Sequence, residues 1–440
     1  MPHVPSAPLS FATRQVHAGS EPDPVTGARV TPVHLTAGFV FDDFEQARAR
    51  FAGEDDGFVY TRMGNPTTAA VERRLATLEG GTDALLLGTG QAALTVALLG
   101  ILGAGDHLVA AADLYEGSRG LFLENFARLG ISVDFAAGPE DWERLVRPTT
   151  RAFFAESIAN PKNAVLDVPA VAAVAHRHGL PLVVDNTFAT PYLLRPLEHG
   201  ADVVVHSASK FLAGHGAALG GVVVTGQGFD WSGFEHLTAP AGVLAGVSWV
   251  DRYGPRRAYV EHTRAVVASR LGPAISPFNA FLVQQGLETL SLRVARQSAT
   301  AEILARWLLE RPEVVSVDHA ALPDHPSHAV AQRLLPLGTG AVLSLTLAGG
   351  RAAAQRFVDA VQLFTRMTHV GDVRSLVIHP ASTTHAHRTE AERLGTGIWP
   401  GLLRLSIGLE EPADLVADLE RALAATHDPA HEGSLAQVRS

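Results

Sequence analysis

Lys210 stands in the stretch Asp202 to Gly216, DVVVHSASKFLAGHG, flanked by Ser207 and Ser209 and followed by a glycine-rich turn. Val203, Val204 and Val205 read as a buried strand, so the hydroxyls and the amine fall at its carboxyl end, over a pocket. Short serine donors suit an anion, and an amine beside an anion site suits a lysine that forms a Schiff base with a phosphorylated aldehyde. SxSK alone more often marks a solvated loop lysine.

The stretch Leu180 to Thr187, LPLVVDNT, reads as a second apolar strand ending in Asp185, then Asn186 and Thr187. Ligands of open parallel sheets gather at the carboxyl ends of strands, so two such strands can aim an acid and an amine at one ligand. Pyridoxal phosphate needs that pair. Its aldehyde must meet an amine, and its ring nitrogen must stay protonated, which a buried aspartate favours by opposing the charge. A turn-capping aspartate is the other reading of Asp185.

The elements that must position these groups alternate. From Thr68 the pattern is helical; then Ala84 to Leu87, His107 to Ala111, Ile131 to Ala136, Arg151 to Glu156, Pro181 to Asp185, Asp202 to His206 and Gly220 to Thr225 read as strands, with helices at Gln91 to Leu102, Leu121 to Leu129 and Ala170 to His178. Such alternation predicts a mostly parallel sheet with helices on both faces. Residues 255 to 311 read as long and helical, broken at Pro273 and Pro277. A smaller α/β unit follows, with strands at Val314 to Val317, Ala341 to Leu347, Leu376 to His379 and Leu402 to Gly408, and helices at Ala352 to Leu363 and Leu415 to Leu423. The expected division is an irregular, proline-rich arm over 1–65, a ligand-binding domain over 66–275 and a small domain over 276–440, with a polar tail from about 427.

Composition narrows the class. The 440 residues carry a net charge of -10 and no Lys/Arg block, which argues against nucleic acid or an anionic membrane as the main partner. With zero cysteines there is no disulfide, thiolate zinc site or catalytic thiol. The longest apolar run, Ala92 to Gly105 apart from Thr95, is too short for a membrane span, and Met1 to Ser20 lacks a secretory pattern, so a cytoplasmic enzyme is expected.

Other motifs remain open on residues alone. LLLGTGQAA over Leu85 to Ala93 fits a dinucleotide fingerprint with Asp113 downstream, the basis of an NAD(P)-dependent dehydrogenase reading. It equally fits a single phosphate held by the backbone amides of Gly90 and Gln91 at a helix N-terminus. Tyr115 in DLYEGS could stack on a planar ring, and Asn160 in the Asn160-Pro161 pair could reach its phenolic oxygen. His379, His385 and His387 invite a metal reading, but no HExxH or cysteine accompanies them. Arg404 lies in an apolar strand and needs an anionic partner: a substrate carboxylate, or an internal acid such as Glu410 or Glu411.

The ordered set YTRMGNP, GTGQAA, DLYEGS, NP, DNTF, HSASK, SLVIHPASTTH and RLSIGLE spans Tyr60 to Glu410 and resembles the pyridoxal-phosphate enzymes of cysteine and methionine metabolism, the family of cystathionine γ-synthase and γ-lyase. KFLAGHGAALGGVVV, SPFNAFLVQQGLETLSLR and VGDVRSLVIHPAST are most similar to its O-acetylhomoserine sulfhydrylase branch. The resemblance implies the aspartate-aminotransferase-like fold (fold type I), with a seven-stranded large domain. It implies Lys210 as the Schiff-base lysine and Asp185 as partner of the ring nitrogen. Gly90, Gln91, Ser207 and Ser209 would hold the phosphate; Tyr115 would stack on the ring and tune the lysine, with Asn160 and Thr187 in support. Tyr60 and Arg62 would reach a neighbouring subunit's phosphate in a homotetramer, and Ser375 and Arg404 would hold the substrate. The implied reaction replaces the γ-acyl group of an O-acyl-homoserine with sulfide or a thiol, and γ-lyase chemistry is the alternative on the same fold. Ser209 stands where threonine is usual, and GTGIWPG before Leu402 departs from the family's pattern.

Overall fold

The computed structural model describes residues 9–427; the first eight residues of the arm and the polar tail lie outside the described residues. Seven strands form the larger sheet: β1 (Asp83–Leu87), β2 (His107–Ala111), β3 (Ser132–Ala136), β4 (Thr150–Glu156), β5 (Leu182–Asp185), β6 (Val203–Ser207) and β7 (Gly221–Thr225). Their order is β1-β7-β6-β5-β4-β2-β3, and β7 alone runs antiparallel to its neighbours.

Continuous apolar runs suit this sheet because both faces are covered. On β6, Val204 packs into one core while Val203 and Val205 pack into the other. Val184 and Val183 of β5 divide in the same way, as do Val222 and Val223 of β7. Helix Pro66–Glu79 starts on Asn65, whose side chain accepts from the Thr67 amide, and stops at Gly80 with φ 74°. Thr89 caps helix Gly90–Leu99 by accepting from the Ala92 amide.

The second sheet holds β8 (Val314–Asp318), β9 (Val342–Leu347), β10 (Thr365–Arg366), β11 (Leu376–Ile378) and β12 (Leu402–Ser406), in the order β10-β11-β12-β9-β8. Its core joins Leu343, Leu345, Leu403 and Leu405 to Leu304 and Leu308 of helix Leu290–Leu309 and to Leu415 and Leu419 of helix Pro412–Ala424.

The arm, expected to be mostly irregular, holds two short helices, Phe11–His17 and Phe44–Phe51. The second is capped by Asp43 and carries Phe44, Ala47 and Phe51 at helical spacing, yet buries none of its residues. The helix expected over Leu121 to Leu129 is an α-turn, Glu116–Gly120, running into a π-helical stretch, Leu121–Phe126, that buries Phe122 and Phe126.

Candidate active site

A cavity of about 420 Å3 opens where the carboxyl ends of β4, β5 and β6 meet the N-terminus of helix Gly90–Leu99. Lys210, three residues past β6, projects into it, and Asp185 ends the adjacent parallel strand. The close approach of helix and strand depends on glycine. A Cβ on Gly90 would lie 2.7 Å from the Ser207 Cβ, and one on Gly221 would lie 1.9 Å from the Thr89 carbonyl oxygen.

Thr187 joins the ends of β5 and β6. Its hydroxyl donates to Asp185 Oδ1 at 2.5 Å and accepts from the Ser207 amide at 2.8 Å, while its own amide donates to the same carboxylate oxygen at 2.9 Å. Burial raises the Asp185 pKa, and the two Thr187 donors oppose that shift. Glu156, at the end of β4 and in register with Asp185, is held well above the usual carboxylate range by burial and by Asp185. Its oxygens accept from the backbone amides of Tyr115 at 2.5 Å and Asn160 at 3.4 Å, fixing two loop residues on the cavity rim. Burial and the nearby Arg404 bring the Lys210 amine down to about 8, and its Nζ lies 3.0 Å from His369 Nδ1.

Arg404 enters from β12, on the smaller sheet. Its guanidinium donates to Asn160 Oδ1 at 3.2 Å and to the His369 carbonyl at 3.1 Å, and its buried Nε has no partner among the described residues. The internal-acid alternative fails. Glu410 accepts from the Ser375 amide at 2.7 Å and its hydroxyl at 2.8 Å, and Glu411 pairs with Arg296 at 3.1 Å. Arg404 is thus a buried cation on a cavity wall with no carboxylate of its own among the described residues, and burial lowers its pKa to about 10.

Gly90, Gln91, Tyr115, Asn160, Asp185, Thr187, Ser207, Ser209, Lys210 and Arg404 all line this one cavity. The Ser209 hydroxyl is already engaged, accepting from the Gly220 amide at 3.0 Å. Ser375 is not on the wall: it is fully buried and turned to Glu410. Tyr60 and Arg62 also stay outside their own chain's cavity, with Arg62 reaching the Ser269 carbonyl. His369 and Glu156 are lining residues that the sequence did not single out. His379 bonds Ser382 and the Pro400 carbonyl, and His387 and Arg388 converge on Glu116. Among the described residues no group of three or more His, Asp or Glu is arranged to hold a metal.

The dinucleotide reading fails on topology. A dinucleotide fold sets the strand bearing the glycine motif beside the strand that supplies the ribose-binding acid. Here β1 pairs only with β7, while β2, which leads to Asp113, lies between β4 and β3.

The donor set fits pyridoxal phosphate instead. Free amides at a helix N-terminus and the Ser207 hydroxyl suit its phosphate, a desolvated carboxyl suits its ring nitrogen, and a lysine of lowered pKa suits its aldehyde. Fold and site together define a pyridoxal-phosphate-dependent enzyme. Comparison with known proteins gives the particular group. The chain belongs to the Cys/Met metabolism PLP-dependent enzyme family, whose model matches residues 12–424. It is 44% identical over 425 residues to an O-acetyl-L-homoserine sulfhydrylase of Corynebacterium glutamicum, covering 94% of this chain and 97% of that one. It is 41% identical to the protein of that name from Leptospira meyeri, over 96% and 99% of the two chains. Among solved structures, a proposed O-acetylhomoserine (thiol)-lyase of Campylobacter jejuni, described with an N'-pyridoxyl-lysine-5'-monophosphate, superposes with a TM-score of 0.91 at 31% identity, over 94% and 100% of the two chains.

Proposed function

We propose that this enzyme replaces the γ-acetoxy group of O-acetyl-L-homoserine with sulfide, giving L-homocysteine and acetate. The observation that carries the reading is Arg404, a buried two-donor fork without a carboxylate partner, facing the same cavity as the Lys210 amine. That pairing suits an α-amino acid, whose carboxylate and Cα must be held together. The names of the full-length relatives point to the same substrate.

Pyridoxal phosphate, when bound, withdraws electrons from the substrate's Cα and so acidifies its proton. The chain's own residues do the rest. Gly90, Gln91, Ser207 and Ser209 hold the phosphate, Asp185 opposes the ring nitrogen's charge, and Thr187 keeps that carboxylate in place. Arg404 takes the α-carboxylate, with Asn160 bracing the guanidinium. Lys210 is placed to take the Cα proton and return protons further along the side chain, and Tyr115 covers the rim and tunes that amine.

Leaving-group size follows from charge. Among the described residues, Lys210, His369 and Arg404 are the only basic side chains this chain places on the cavity wall, so it offers no second arginine fork for the far carboxylate of a succinyl ester. A neutral acetyl group fits better, and sulfide needs no amino-acid subsite of its own. We also propose a cytoplasmic homotetramer of two active dimers, in which Tyr60 and Arg62 serve the neighbouring site. The arm, large domain and small domain are bounded near residues 65 and 276. Among the described residues no helix is long and apolar enough to cross a membrane.

The test compares kcat/KM for acetyl- and succinyl-homoserine, each with sulfide, methanethiol or cysteine. Acetyl-homoserine with sulfide should lead. A lead for the succinyl ester with cysteine would make the enzyme a cystathionine synthase, and 2-oxobutyrate as the main product without thiol would make it a lyase.

A further inference from the structure

His369 sits between β10 and β11, 159 positions from Lys210 in sequence, yet its Nδ1 is 3.0 Å from the Lys210 Nζ. Its main-chain carbonyl accepts from the Arg404 guanidinium at 3.1 Å. One residue therefore touches both the amine and the fork, the first through its side chain and the second through its backbone. Its Nε2 is buried without a partner, so nothing among the described residues competes to turn the ring away.

We propose that His369 is a positioning residue for this enzyme: its imidazole is the resting partner of the Lys210 amine whenever that amine is free, holding it on the Arg404 side of the cavity and favouring its protonated form. This rests on Lys210 being the cofactor-bearing lysine. The ring is neutral near pH 7, because burial and then the lysine's own charge bring it down to about 4. Nδ1 is then an acceptor, and the ammonium donates to it. The other charged groups facing the imidazole are Arg404 and Arg374, which oppose a positive charge there, and Asp372, which favours one. Burial and Arg404 push the lysine towards its neutral form. The acceptor pushes the other way, and without it the amine sheds its proton at lower pH and loses its fixed direction.

Uptake of pyridoxal phosphate by the apoenzyme needs the neutral amine, so its pH midpoint, followed by visible absorbance, reads the state of Lys210 without any turnover. Leu and Asn have nearly the same shape, but only Asn offers an acceptor near the Nδ1 position. His369→Leu should move the midpoint down by about one pH unit, and His369→Asn should restore most of that shift. In the loaded enzyme His369→Leu should lower kcat about tenfold with KM for the amino acid nearly unchanged, since Arg404 is held by a carbonyl that the variant keeps. If the leucine variant does not fold, His369→Ala replaces it. Equal midpoints in wild type, leucine and asparagine variants, or equal shifts in both variants, would overturn the role of Nδ1. Failure of the underlying reading looks different: Lys210→Ala would then take up the cofactor with the same visible band as wild type.

Discussion

Lys210 is half-buried and its removal opens a pocket rather than a core, so the fold should survive its loss. Lys210→Ala should keep its far-ultraviolet dichroism while losing the visible absorbance of the attached cofactor and on the order of a thousandfold or more in turnover. Wild-type absorbance with normal activity would refute the assignment. Arg404→Lys replaces a planar fork by a single nitrogen, which cannot serve Asn160, the His369 carbonyl and a carboxylate together. A loss of about 100-fold in kcat/KM is expected, most of it in KM. An unchanged value would place the substrate carboxylate elsewhere. Both residues were legible in sequence, one because it ends a strand and the other because a charge inside LLRLSIGLE demands a partner. His369 was not, since a lone histidine before VGD carries no periodic or motif signal and its meaning comes from a contact made across the chain. Ser375 was misplaced for a related reason: the motif gives its neighbourhood, but only the fold shows that Glu410 claims the hydroxyl.

Strand ends decide how well those residues are held. Thr187→Val removes a hydroxyl that donates to Asp185 and accepts from the Ser207 amide, leaving that amide without its partner and Asp185 with the residue-187 amide alone. Urea unfolding should show a loss of about 1–3 kcal/mol, and equilibrium titration should show weaker cofactor binding. A variant with wild-type cofactor affinity would show that Asp185 needs no such support. At the other end of the sheet His107 of β2 bonds Thr150 of β4 at 2.8 Å, fully shielded from solvent. Burial, aided by Arg147 and opposed by Asp134, lowers its pKa from 6.5 to about 4. As pH falls below 6.5 the unfolded chain takes a proton that the folded chain refuses until about 4, so stability is lost across that window and recovered above it. His107→Gln should therefore show a shallower fall in unfolding free energy between pH 6.5 and 4, and parallel curves would refute it. The strands were readable because apolar runs ended by DNT or HSASK have few other uses. The π-helical stretch was not, because its spacing of apolar residues differs too little from an α-helix over six residues.

Whole-molecule behaviour turns on the arm. Val25, Val40, Phe44 and Phe51 are 89%, 90%, 80% and 71% exposed, close in sequence to Tyr60 and Arg62, which do not reach their own chain's cavity. Exposed apolar side chains gathered on one segment are a cost that a second copy would remove. Light scattering should report an oligomer, and mixed refolding of Arg62→Ala with Lys210→Ala chains should regain part of the activity, because one site in each hybrid dimer receives both native residues. Hybrids that form without recovery would mean that each site is built within a single chain.

The cavity has walls on two sheets, with Lys210 following β6 of the larger and Arg404 on β12 of the smaller. An amino acid held at both ends is therefore a crosspiece between the two sheets, added to the apolar cluster that already joins Val204 of β6 to Val342 of β9. Its binding energy is shared by both, so melting either one forfeits the whole of it. In a calorimeter the substrate's carboxylate acts as a tie-rod: the two units melt more nearly as one when it is in place, and Arg404 is where that tie is anchored.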